Sequence, residues 1–155
     1  MVEPANISMF QTVTWAVSNF LRGKPKPPSE LVIPFLASLN MALKNCHTVG
    51  ASPKDRSDAV WALSYITEYD VPQVFDLAIK CRIIETLFSF FDLYMNEKEL
   101  MIPTVRAVGN FASGKDEVAE ALIEKGFLKY AAPLIRHPSV RTIRWFPSAL
   151  SIPLK

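Results

Sequence analysis

The sequence predicts an all-α chain built as a solenoid of stacked helical repeats, on three observations. Apolar residues recur at spacings of three and four, while the alternating, Gly-bounded runs of a sheet protein are missing. Twelve Pro and five Gly among 155 residues punctuate those runs, which makes helix boundaries many and flexible linkers few. A five-residue word recurs as Trp15-Ala-Val-Ser-Asn19, Trp61-Ala-Leu-Ser-Tyr65 and Arg106-Ala-Val-Gly-Asn110. Its period of about 45 residues is that of stacked helical units.

Each element follows from local signals. A helix over about Ile7 to Arg22 carries the first word, with Gly23 as its stop and Pro25 just beyond. Pro28-Ser29 opens a second helix, about Glu30 to Lys44, with Ser29 as candidate N-cap and Leu31, Val32, Phe35, Leu36, Leu39 and Leu43 as its apolar set. Asn45 to Lys54 reads as a loop. The second word lies on a helix over about Asp55 to Glu68, in a unit beginning at Pro53. A short helix follows near Pro72 to Lys80, then a very apolar one over Ile83 to Tyr94. The third word sits on a helix from about Lys98 to Ser113. Helices over Asp116 to Lys125 and Phe127 to Arg136 complete the pattern, with Gly114 and Gly126 at the breaks.

Three helices in forty-odd residues is the armadillo-type repeat, and such units stack because none buries its apolar face alone. The expected architecture is a right-handed superhelical solenoid of about three to three and a half repeats. Residues 1–138 form the repeats: 1–23 the last helix of a first, 24–69 a second, 70–114 a third and 115–138 the start of a fourth. A further word is due near residue 148. There the sequence reads Trp145-Phe-Pro147-Ser-Ala149, and a Pro costs a helix interior about 3 kcal/mol. Residues 139–155 are therefore expected to be a degenerate or truncated repeat, with Trp145, Phe146 and Ile152 under-packed.

Composition narrows the function classes. Net charge is +2 with acids and bases mixed, so nucleic acid is not indicated. No apolar stretch reaches the roughly 18–20 residues of a membrane span, and the start lacks a signal-peptide pattern. Cys46 and Cys81 fit no metal-ligand spacing and are expected to be reduced thiols of an intracellular protein. No cofactor or metal is expected. His47 and His137 fall in or beside loops without a catalytic partner, so an enzyme is not expected.

The recurring word points to a surface. At about 100° per residue, the first and fifth letters share one helix face, while Val17 and Phe20 lie opposite, as do Leu63 and Ile66, and Val108 and Phe111. The opposite set is expected to be core. What remains outward is a ladder: Trp15 with Asn19, Trp61 with Tyr65, Arg106 with Asn110. Arg22, Asp58 and Glu68 share its face by spacing. A Trp in an apolar helix is ordinarily core. Two Trp at matching positions, each followed four residues later by a hydrogen-bonding side chain, favour an outward role instead. Such a ladder suits an extended peptide. A Lys stem can lie along an indole with its ammonium attracted to the ring, an amide can grip any backbone, and a carboxylate such as Asp58 adds selection for Lys or Arg.

These residues carry a resemblance. Thr14-Trp15-Ala-Val-Ser-Asn19 through Arg22 to Pro28 resembles the importin alpha (karyopherin alpha) family, as do Asp58-Ala-Val-Trp61-Ala-Leu-Ser-Tyr65 and Ile102-Pro-Thr-Val-Arg106-Ala-Val-Gly-Asn110. The likeness covers about residues 10–135. It implies an adaptor of the cytoplasm and nucleus that binds Lys/Arg-rich nuclear localisation signals on a concave groove. By it, Trp15 and Asn19 match the last Trp/Asn pair of the major site. Trp61/Tyr65 and Arg106/Asn110 match the central repeats before the minor site. The chain is expected to hold only a partial groove and no importin-beta-binding segment. A generic armadillo protein-interaction scaffold, or a non-functional fragment, without signal recognition is the alternative. One complete Trp/Asn pair offers about 2–3 kcal/mol, against an association cost of about 4–15 kcal/mol, so millimolar or weaker binding is expected.

Overall fold

The computed structural model describes residues 4–46 and 50–137. The expected degenerate repeat at 139–155, with Trp145, Phe146, Pro147, Ala149 and Ile152, lies outside the described residues, as does His47. Within them the chain is all helical, in the order α1 (Pro4–Arg22), α2 (Ser29–Asn45), α3 (Pro53–Ile66), α4 (Pro72–Lys80), α5 (Ile83–Tyr94), α6 (Lys98–Ala112), α7 (Asp116–Glu124) and α8 (Leu128–Arg136). No described helix is long and apolar enough to cross a membrane.

The ends show local chemistry. Ser52 caps α3: its Oγ accepts from the Asp55 N–H at 3.3 Å, and Asp55 Oδ2 accepts from the Ser52 N–H at 2.9 Å. Pro53 fits the first helical turn, where no N–H is needed. At α2 the expectation is corrected. Pro28 occupies the cap position, Ser29 is already helical, and no side chain caps the end. Proline fixes its own φ and needs no hydrogen-bonding side chain to turn the chain there. Two glycines act for different reasons. Gly126 adopts φ +90 between α7 and α8, a conformation costly for other residues. At Gly114 a Cβ would come within 2.1 Å of the Phe75 ring, so the constraint there is space.

The three word-bearing helices α1, α3 and α6 pack side by side as one layer. Behind them, α2 packs on α3 and α5 on α6, with α4 and α7 as short connectors. The core lies between the layers. Leu63 and Ile66 on α3, and Val108 and Phe111 on α6, are buried as the wheel requires. Their counterparts on α1 are not. Val17 is half-buried and Phe20 is 52% exposed, against the expectation of core. On α2, Val32, Leu36, Leu39 and Leu43 are buried, but Leu31 is 60% exposed and Phe35 also faces outward. The cause is local: α3 and α6 each have a second-layer helix behind them, and among the described residues α1 has none.

Candidate functional site

The layer of α1, α3 and α6 presents its first and fifth letters on the face away from the core. Trp15 is 57% exposed, and Asn19, Trp61, Tyr65, Arg106 and Asn110 are all half-buried. Between α1 and α3 lies a cleft of about 430 Å³, lined by Trp15, Ser18, Asn19, Arg22, Lys54, Asp58, Trp61 and Tyr65. Six of the eight residues expected at the site thus meet in one place. Arg106 and Asn110 belong to the next step, on α6. Lys54 was missed because its segment reads as a loop. It lies seven residues before Trp61, the helical spacing that also brings Arg22 under Trp15.

Asp58 supplies the carboxylate of this cleft. Burial raises its pKa above the ordinary range and nearby Asp55 adds to the rise, while Lys54 and Arg22 oppose it. Its neighbour Asp55 behaves oppositely. Burial alone would raise it, but hydrogen bonds from Ser52 and from Gln11 on α1, with the Lys54 charge, hold it lower. Asp55 is therefore a structural acid tying α1 to the cap of α3, and Asp58 is the carboxylate that lines the cleft.

The amides are already engaged. Asn19 Nδ2 donates to the Trp15 carbonyl one turn back at 2.8 Å, and its Oδ1 accepts from Arg22 at 3.1 Å. Both the nitrogen and the oxygen of the Asn19 amide are thus held within α1. Asn110 Nδ2 donates to the Ser64 carbonyl at 3.0 Å and to Thr67 Oγ1 at 2.9 Å, which uses both its N–H groups across the α3–α6 contact. Asn110 thus acts as a strut between two rungs, with its Oδ1 as the atom that can still accept.

The second rung is closed by a cation of the chain itself. Trp61 and Tyr65 stack with centroids 5.6 Å apart. The Arg106 guanidinium lies 4.9 Å from the Tyr65 centroid and 5.6 Å from that of Trp61. It also forms an ion pair with Glu68. Glu68 in turn accepts from Lys26 Nζ at 2.7 Å, and that ammonium sits 5.4 Å from the Tyr69 ring. Burial lowers the Arg106 pKa, with Tyr65 acting against the shift, yet a guanidinium remains charged. Sequence spacing placed Glu68 on this face, but nothing in it signalled that two cations would converge there.

No protein-family model matches the chain. Curated relatives do. Importin subunit alpha-1b of Oryza sativa subsp. japonica is 30% identical over 145 residues, covering 92% of this chain and 25% of the relative. Importin subunit alpha-2 of Caenorhabditis elegans is 31% identical over 134 residues, covering 86% and 24%. Importin subunit alpha-B of Dictyostelium discoideum is 32% identical over 111 residues, covering 70% and 19%. The chain spans about a quarter of the length of the first two. The helical layers, the outward ladder and these matches agree: the chain is a relative of the importin alpha family, with an all-α, armadillo-type solenoid.

Proposed function

We propose that this chain is part of a nuclear-import adaptor groove that binds Lys/Arg-rich localisation signals as extended peptides, and that it works in the cytoplasm and nucleus. The observation that carries the proposal is the α1–α3 cleft, where two indoles, an amide and the carboxylate of Asp58 converge. A peptide lysine can lay its stem along Trp15 and bring its ammonium toward Asp58. Asn19 can exchange its bonds to Trp15 and Arg22 for peptide backbone. The exchange recovers little net energy, since each hydrogen bond is worth about 1 kcal/mol. Millimolar or weaker affinity for the isolated chain follows from that and from the cost of association.

The test is an NMR titration of the indole N–H signals with a Lys/Arg-rich peptide. Saturable shifts at millimolar peptide, lost in Trp15→Ala with Asn19→Ala, are expected. Sub-micromolar affinity overturns the weak-binding reading, and shifts unchanged by the double substitution overturn the site. A generic protein-interaction scaffold is the second reading. The internal engagement of Arg106 and Asn110 favours it, and it predicts no preference for a Lys-rich over a Glu-rich peptide.

A further inference from the structure

The cleft between α1 and α3 carries different charges at its two ends. The helices run side by side in the same direction. Gln11 on α1 donates to Asp55 near the start of α3, and Lys26, past the end of α1, donates to Glu68, past the end of α3. Toward the helix starts the cleft continues into a hollow of about 580 Å³, where Lys54 stands against two carboxylates, Asp55 and Asp58. Toward the helix ends it is lined by Arg22. Among the described residues no carboxylate forms an ion pair with Arg22. Its guanidinium donates only to a neutral acceptor, Asn19 Oδ1, at 3.1 Å. Lys26 and Arg106, the other cations at that end, already share Glu68.

The orientation of a bound strand follows from Asn19, and this step rests on the peptide-groove reading proposed above. An amide on the cleft floor grips a backbone only if the strand turns its N–H and C=O edge toward α1 and α3. The strand follows the ladder, so it crosses the helices. Its side chains leave alternately to opposite faces, which here means in turn toward the helix starts and toward the helix ends. Asp58 is the equivalent, one period on, of Thr12, and helical rise sets Arg22 about 15 Å beyond that level. Two long side chains reaching opposite ways from one strand, met by the side chain of Arg22, cover that span.

We infer that the cleft selects a peptide in which a basic residue has an acidic residue directly beside it, the basic side chain seated at Asp58 and the acidic one on the Arg22 guanidinium. A guanidinium receives a carboxylate through two parallel N–H bonds, which are stronger than a bond to a neutral oxygen. The acid therefore takes Arg22 from Asn19 and leaves Asn19 Oδ1 to accept from the peptide backbone. A second basic residue in the same place sets like charges together. Basic character alone is thus not the best match for this cleft.

The test is an NMR titration of the whole chain at low salt, read on the indole N–H signals, with four peptides of equal length. They carry a neighbouring Lys-Glu pair, Lys-Gln, Lys-Lys, or Lys with Glu two positions away. The Lys-Glu peptide should bind about two- to fivefold more tightly than Lys-Gln, the range of an exposed ion pair. Lys-Lys should bind more weakly than Lys-Gln, and Glu two positions away should gain nothing. Arg22→Gln should erase the difference between Lys-Glu and Lys-Gln, and Arg22→Lys should keep part of it. Equal affinity for Lys-Glu and Lys-Gln, a Glu preference that survives Arg22→Gln, or an equal gain from Glu two positions away each overturns the inference and leaves the groove reading standing. Indole signals unmoved by every peptide overturn the groove reading and this inference with it.

Discussion

Arg106 sets a cation of the chain itself on the aromatic face of the second rung. Its guanidinium already holds the Trp61 and Tyr65 rings and the Glu68 carboxylate. Arg106→Ala should free that aromatic face and leave Glu68 paired with Lys26. A peptide lysine then gains a contact of about 0.5–1 kcal/mol, so affinity for a Lys-rich peptide should rise about two- to fivefold by the same titration. Asp58 makes the opposite kind of prediction. Its pKa is raised, chiefly by burial, so it loses its charge at higher pH than an ordinary carboxylate. Peptide affinity should hold near neutral pH and fall on acidification, before the ordinary carboxylate range near 3.9 is reached. Asp58→Asn should bind more weakly and show no such fall. A wild-type affinity that is flat down to that range rules Asp58 out as the ligand carboxylate.

At the scale of the element, α3 depends on its first turn. Ser52→Ala removes one half of a reciprocal cap and should cost about 1 kcal/mol in urea unfolding. Asp55 adds a pH signature. Its folded pKa is depressed, so its contribution is fully present above its unfolded value and is lost as pH falls through the lower folded value. Asp55→Asn should flatten the stability profile in that acid window. A profile identical to wild type removes Asp55 from the cap. The helices themselves were legible in the sequence: α4 and α5 fall where the Pro and apolar runs put them, and the others within a few residues. The cap of α3 was legible too, as a Ser followed three residues later by Asp, but it was hidden inside a segment read as a loop. Phe20 was not legible. A helical wheel gives the direction of a side chain, whereas its burial depends on whether another helix lies there.

For the whole molecule, the cleft was readable to the extent that it depends on helical spacing, which brings six residues together. The closure of the second rung depends on how far α6 is rotated against α3, and that angle is set by packing across the stack. Many polar bonds between elements share one property. Gln11 with Asp55, Lys26 with Glu68, Tyr69 with Pro27, Ser57 with Glu99, Asn110 with Ser64 and Lys125 with Glu85 all join residues 40 to 46 positions apart. Each rung is thus tied to its immediate neighbour. Pulled by its two ends, such a chain should come apart like a zip, one period at a time. In single-molecule force spectroscopy the contour should lengthen in steps of about 150 Å, the extended length of roughly 45 residues. One all-or-none rip of the whole chain would show that force is shared over more than adjacent rungs. A stack fastened in this manner can also lengthen its pitch a little at every rung, so a strain too small to open any one contact is spread along the whole row of helices.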